Sequence, residues 1–121
     1  MIFDAYRPAR AVQEFYGWKD LPDSPLIKER FYPFITKEEI FAEGFIAMEN
    51  SSHSRGSTID LTIVNNKTNS PLEMGTEFDY FGSQSNMDST EISEKAIKNK
   101  KLLLNIMTKH GFKNLPSEWW H

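Results

Sequence analysis

Apolar and polar positions alternate along the chain in patterns that change every ten to twenty residues, and those changes mark short elements. Ile2 to Tyr6 is a brief β-like run, stopped by Arg7-Pro8. Pro8 suits the first turn of a helix, where its missing N–H would have no partner anyway. Ala11, Val12, Phe15, Tyr16 and Trp18 recur at near-helical spacing and predict a helix over about 9–19. Pro22, Asp23, Ser24 and Pro25 are turn chemistry. Residues 26–35 read as irregular, with Pro33 interrupting any helix. Thr36 followed by Glu39 matches a capping box, and Gly44 suits a left-handed stop, so a helix is expected over about 37–43. Phe45 to Met48 is a short strand candidate, and Asn50 to Ser52 is loop. Ile59 to Val64, rich in β-branched residues, is the clearest strand. Asn65 to Pro71 reads as the turn of a hairpin and residues 72–88 as loop. The longest helix is expected over about 90–109, with Ile92, Ala96, Ile97, Leu102, Leu103, Ile106 and Met107 on its apolar face. Lys95, Lys98, Lys100, Lys101 and Lys109 form its solvated face, and Gly111 ends it. A few helices and few strands, without strict alternation, indicate an α+β fold.

Composition narrows this picture. A length of 121 residues suits one domain with one hydrophobic core. A hydrophobic content of 39% and a charged content of 26% are globular values. A formal charge of −3 argues against nucleic acid, which selects for a basic face. It is compatible with a cationic, amine-bearing or small peptide ligand. With no cysteine, any metal must be held by imidazole and carboxylate. No apolar run approaches the ~20 residues that span a bilayer. The first residues lack the basic-then-apolar build of a signal peptide and read as the middle of a domain. The chain is therefore expected to be a single domain, residues 1–121.

The candidate chemistry lies in two stretches. Ser51-x-His53-x-x-Gly56-x-x-x-Asp60 sets a loop histidine seven residues before an aspartate on the predicted strand, and Gly56 permits a tight backbone path between them. Glu118-Trp119-Trp120-His121 adds a carboxylate and a second histidine, which a turn could aim at the same point. Two histidines and two carboxylates are the ligand-plus-base set of a catalytic zinc site, which needs three protein ligands, an open position and a nearby base. Arg7 sits where a strand runs into a helix start, a position from which a guanidinium could reach a cleft. The segment Glu73 to Phe81 holds three acids and three aromatics; a carboxylate there could hold an ammonium group or simply cap a turn. His110 reads as a favourable charge at a helix C-terminus, not as a ligand.

Tyr6-Arg7-Pro8, the Ser51-to-Asp60 element, Met74-Gly75-Thr76-x-Phe78-Asp79 and Glu118-Trp119-Trp120-His121 follow one another in a fixed order. That series resembles the zinc D-alanyl-D-alanine dipeptidases, of the type used in glycopeptide-antibiotic resistance; the resemblance covers nearly the whole chain and, since members of that family are longer at both ends, implies that N- and C-terminal portions of the domain are missing from residues 1–121. It implies a small, mostly antiparallel sheet with helices packed on it and a zinc site in a cleft on the sheet, as in the DD-peptidase and hedgehog-like folds. It also implies one Zn2+ held by His53, Asp60 and His121, with Glu118 as general base and Arg7 stabilising the oxyanion. Ser51 and Asp79 are implied to hold the termini of a free dipeptide, Asp79 toward the ammonium. The implied activity is hydrolysis of D-alanyl-D-alanine or a close D,D-dipeptide, in cell-wall metabolism or glycopeptide resistance; the sequence leaves the compartment, bacterial cytoplasm or periplasm, open. Two alternatives stay open: a truncated remnant that binds zinc or cell-wall peptide without turnover, and a peptidoglycan D,D-carboxypeptidase or L,D-endopeptidase. Glu-Trp-Trp-His in place of a His-x-His pair argues against the last. Thr58 stands where a small residue is often found, two before the aspartate. Oligomeric state is left open by the sequence.

Overall fold

The computed structural model of the chain describes residues 1–46 and 51–121. Strand β1 (Ile2–Asp4) leads into helix α1 (Ala9–Lys19), and α2 (Pro25–Phe31) and α3 (Lys37–Ala42) follow. Strands β2 (Asp60–Leu61), β3 (Val64–Asn65) and β4 (Ser70–Pro71) come next, and the long helix α4 (Glu94–Lys109) precedes the final segment. The architecture is α+β, as the pattern predicts. Its antiparallel pairing is split into two small sheets, β1 with β2 and β3 with β4.

The apolar run 59–64 does not form one continuous strand, because it changes partner midway. Asp60 and Leu61 pair with β1, and the Leu61 N–H also reaches the Trp120 carbonyl at 3.1 Å. The Thr62 N–H goes to the Met1 carbonyl at 2.9 Å. Beyond that point Val64 and Asn65 turn into the hairpin with Ser70 and Pro71. β-propensity correctly reported an extended chain but carries no information on which partner each residue meets. Phe45 and Ile46 form a bend, and the rest of the strand expected there, Ala47 and Met48, lies outside the described residues.

Helix α2 is absent from the pattern-based reading. Ser24 and Pro25 were read as turn residues; they are the N-cap and first residue of this helix, where proline is well tolerated. Tyr32 closes α2 and is buried against Trp18 of α1, ring centroids 5.5 Å apart. Thr36 does form the capping box: its side chain accepts from the Glu39 N–H, and the Glu39 carboxylate accepts from the Thr36 N–H. Val12, Tyr32, Ile40 and Phe41 make the buried seam between α1, α2 and α3. Lys37 is buried there too, its Nζ donating to the carbonyls of Trp18, in the last turn of α1, and of Leu21, just beyond its C-cap Asp20.

The main core holds Met74, Leu103, Trp119 and Trp120, with Phe3, Leu61, Phe78 and Met107 packed against it. Two aromatic pairs lock it, Phe3 stacked on Phe78 at 4.5 Å and Trp119 edge-on to Trp120 at 5.3 Å. Helix α4 begins at Glu94, a turn later than expected, because the Ser93 hydroxyl accepts the Ala96 N–H and caps it. The reading of its polar face needs one correction: Lys100 is fully buried, not solvated. Positions 96, 100, 103 and 107 share one stripe of the helix, so Lys100 lies among core residues. Its Nζ donates to the carbonyls of Gln84 and Asn86 at 2.6 and 2.9 Å, the middle residue and the C-cap of the 3₁₀ turn Ser83–Ser85.

Candidate metal centre

His53 stands in a 3₁₀ turn, His53–Arg55, that follows Ser51 and closes at Gly56 in the left-handed conformation, φ 67°. The turn is pinned at its start, where the His53 N–H reaches the Ser51 hydroxyl and the Ser54 N–H the Ser51 carbonyl. The imidazole is buried, and its Nδ1 donates to the Ala5 carbonyl at 2.8 Å. That bond fixes the tautomer and leaves Nε2 as the free lone-pair donor. Nε2 faces the Asp60 carboxylate at 3.3 Å. Asp60, on β2, is 2% exposed, and its Oδ1 has no hydrogen-bond partner. His121 approaches from the other side, its Nδ1 3.4 Å from that same Oδ1 and 3.3 Å from Glu118 Oε2.

One ligand atom from each of His53, Asp60 and His121 lies within 4.8 Å of the others. A buried carboxylate oxygen without a donor costs several kcal/mol unless a cation meets it. Asp60 Oδ1 is such an atom, and two imidazole nitrogens converge beside it. The donor set therefore fits a divalent metal, and two nitrogens with one oxygen and no sulfur suit zinc among others.

The local electrostatics point the same way. Desolvation, reinforced by the charges of Glu118 and Asp79, pushes the Asp60 carboxyl up to about 7 against the pull of His121 and Arg7. Desolvation is also the strongest influence on His121, pulling it down, but its contact with Glu118 and the charges of Glu118 and Asp60 outweigh that and raise its pKa. Desolvation, together with the charges of Arg7 and His121, lowers His53 despite its bond to Ala5, so it stays neutral and able to ligate. Asp79 sits at the solvent-open rim with a left-handed backbone, φ 61°. Crowding on its cleft side and the charge of Glu118 push its carboxyl upward, a push that water at the rim screens.

Glu118 and His121 owe their convergence to a tight turn. The Glu118 N–H reaches the Leu115 carbonyl, the His121 N–H the Glu118 carbonyl, and the Leu115 N–H the His121 carbonyl. The same turn buries Trp119 and Trp120 in the core, so the hydrophobic anchor and the polar pair are one device.

The four ordered motifs thus meet at one centre, and the comparisons agree with them. The profile of the family described as D-ala-D-ala dipeptidase (Peptidase_M15) matches residues 1–121. The chain belongs to this family. D-alanyl-D-alanine dipeptidases of Enterococcus faecalis and Enterococcus faecium are 39% and 40% identical to it over all 121 residues, which is 59% of each relative's length. The D-alanyl-D-alanine dipeptidase of Escherichia coli is 33% identical over the same residues, 52% of its length. The chain therefore spans between half and three fifths of the curated relatives it matches.

Arg7, Ser51, His53, Asp60, Asp79, Glu118 and His121 all line one cleft of about 270 Å³. These seven residues, each given a role by the resemblance, are brought together there, whereas Glu73 and Glu77 of the acidic segment are not among its lining residues. His110 is not: it caps α4 and lines a separate concavity of about 490 Å³, which shares only Trp120 and His121 with the cleft and has no carboxylate among its described lining residues. Three contributors escaped the sequence reading. Asp4 Oδ2 holds the Arg7 guanidinium at 2.6 Å from Nη2 and 2.8 Å from Nε. Desolvation opposes, but the bond to Arg7 prevails and keeps Asp4 below the usual carboxylate range. Phe15 lies under the same guanidinium at 5.3 Å, and the Ala5 carbonyl orients His53. The i, i+3 spacing of Asp4 and Arg7 was a legible signal; a backbone carbonyl gives none.

Proposed function

We propose that the cleft hydrolyses a free D,D-dipeptide such as D-alanyl-D-alanine, with one zinc ion held by His53, Asp60 and His121. The observation that carries this reading is the convergence of a metal-suited triad, a buried glutamate, an arginine and a rim carboxylate in one small cleft. Zinc in such a site polarises a scissile carbonyl and acidifies an attacking water.

The side chains divide the remaining work. Glu118, at 3.3 Å from His121 and 6% exposed, takes the proton of the attacking water on a carboxylate oxygen and delivers it to the leaving amine. Arg7 spends Nε and one Nη2 donor on Asp4, which leaves further N–H groups for the oxygen that becomes negative as the carbonyl is attacked. Losing one such donor typically costs ~3–4 kcal/mol of transition-state stabilisation. Asp79 at the rim pairs with the free ammonium of the substrate, a charge that an internal peptide bond cannot supply. The Ser51 hydroxyl accepts from the His53 N–H and keeps its own proton to donate to the substrate's carboxylate. A cleft of about 270 Å³ is at the small end for ligand sites and suits a dipeptide better than a polymer strand.

The test is to load the protein with zinc, supply D-alanyl-D-alanine, and measure released D-alanine alongside zinc stoichiometry. One zinc per chain with turnover is expected. Glu118→Gln should keep the zinc and lose turnover by at least a hundredfold. Zinc bound without release of D-alanine would support the binding-only alternative, and cleavage of longer D,D-peptides in preference to the dipeptide would support the carboxypeptidase.

A further inference from the structure

The segment 74–85 does more than carry Asp79 to the rim. Thr76 Oγ1 accepts the Trp119 Nε1–H at 2.8 Å and lies 3.0 Å from Ser85 Oγ. Ser85, fully buried, donates its hydroxyl proton to the Tyr80 carbonyl at 2.6 Å. Proton accounting then fixes every direction. An indole nitrogen only donates, and the single Ser85 proton is already used, so between the two hydroxyls Thr76 must be the donor. The result is one unbranched chain, from the Trp119 N–H through Thr76 and Ser85 to the Tyr80 carbonyl. A second link runs beside it, from the Trp119 backbone N–H to the Ser85 carbonyl at 3.1 Å.

The ends of this chain matter. Trp119 is the neighbour of Glu118 and two residues from His121; Tyr80 is the neighbour of Asp79. We propose that Thr76 is a positioning residue, the central link that sets the Glu118–His121 turn in register with the Asp79 rim across the cleft. It is not among the described residues that line the cleft and acts through Trp119 and Ser85. The backbone around it is shaped for the task. Gly75 is left-handed, φ 89°, and a Cβ there would meet Ile92 at 2.7 Å, so the turn presses directly on the residue before the α4 cap region. Met74, one residue earlier, is buried in the core beside Trp119. Loop and turn are thus clamped by packing on one side and by the hydroxyl chain on the other.

A merely structural role would leave the centre intact and lower only stability, since a buried indole N–H needs some acceptor in any case. The two roles separate in Thr76→Val, which keeps the shape and removes both hydrogen bonds, compared with Thr76→Ser, which keeps the hydroxyl. The primary readout is zinc affinity, measured by competition with a chromophoric chelator; it is independent of the dipeptidase reading on which the Asp79 half of the proposal rests. Loss of outer support for a metal ligand commonly weakens binding 10–100-fold. We expect a weakening of that order in Thr76→Val and a value within threefold of the parent in Thr76→Ser. If the parent turns over D-alanyl-D-alanine, Thr76→Val should also lower kcat more than it raises KM. If the parent binds zinc but shows no turnover, the dipeptidase reading fails while the zinc comparison still decides the positioning role. A Thr76→Val protein with a lower Tm but unchanged zinc affinity overturns the proposal. Should Thr76→Val fail to fold, Ser85→Ala, which removes the Thr76–Ser85 and Ser85–Tyr80 links and keeps the Trp119–Thr76 bond, decides the matter: a several-fold loss of zinc affinity supports the proposal and no loss refutes it.

Discussion

Asp60→Asn should stabilise the metal-free protein and destabilise the zinc-loaded one. Without metal, Asp60 is a carboxyl 2% exposed, with one oxygen unpartnered and two further carboxylates acting on it. Its folded pKa of about 7 stands well above the ordinary aspartate value of 3.8. At ~1.36 kcal/mol per unit, ionising it in place costs roughly 4 kcal/mol. The sign follows from proton uptake. Between pH ~4 and ~7 the folded state holds a proton that the unfolded state has lost, so stability falls as pH rises through that window and levels off above it. The figure is an upper one, because His121, itself raised, shares the proton load between Asp60 and Glu118. Asparagine cannot ionise, so the variant should lack this slope. In urea titrations with chelator, wild type should lose ~1–4 kcal/mol from pH 5 to pH 7.5 relative to the variant, which becomes the more stable protein at pH 7.5. Saturating zinc should invert the order, since the dication turns the same charge into a ligand. The reasoning fails if the variant is less stable than wild type in chelator at pH 7.5, or if zinc leaves the ranking unchanged.

Two further outcomes follow from the structure. Asp4→Asn removes the charge that holds Arg7 by two N–H groups; because both side chains are about a quarter exposed, the stability cost should stay below ~1 kcal/mol. If Arg7 serves the reaction, kcat/KM should nonetheless fall about tenfold, and a value within twofold of wild type would show that Arg7 needs no tether. Lys100 has its pKa lowered to about 8 by burial, so above pH ~8 the unfolded chain holds a proton that the folded one has lost, and stability rises with pH by up to roughly 3 kcal/mol toward pH 10.5. In urea titrations from pH 7.5 to 10, the stability of wild type should therefore climb relative to Lys100→Met; a difference that is constant with pH refutes the burial argument.

What the sequence revealed and what it concealed divide along one physical line. Chemistry concentrated in a single side chain was legible: His53, Asp60, Glu118, His121, Arg7, Ser51 and Asp79 were all singled out, and all seven line the cleft. Local backbone chemistry was legible too, as the capping box of Thr36 and Glu39 shows. What failed were statements about partners. The run 59–64 looked like one strand because its β-branched residues favour extension wherever they pair, and the exchange from β1 to the β3–β4 hairpin is a tertiary event. Lys100 was assigned to solvent by its charge, although its place in the stripe 96–100–103–107 argued for the core. Its partners, two carbonyls fourteen and sixteen residues away, leave no mark on composition.

That division explains why the ordered motifs were informative as a set and weak one by one. Each motif is a side chain with chemistry embedded in residues that fix the local turn: Gly56 after His53, Gly75 before Thr76, Trp119 and Trp120 between Glu118 and His121. These turn residues set the backbone path that decides where the neighbouring side chains point. A lone His-x6-Asp spacing constrains two side chains and leaves their directions free. When three of the four motifs also carry the glycines and tryptophans that close their turns, the directions are constrained as well, and convergence becomes a geometric consequence. Trp119 is the clearest case. Its ring fills the core, its backbone N–H binds the Ser85 carbonyl and its indole N–H binds Thr76, so one residue ties the Glu118–His121 turn both to the core and to the segment 76–85. A Trp119→Phe protein would keep most of the apolar burial and lose only the indole bond, which is why hydrophobicity alone does not account for tryptophan at that position.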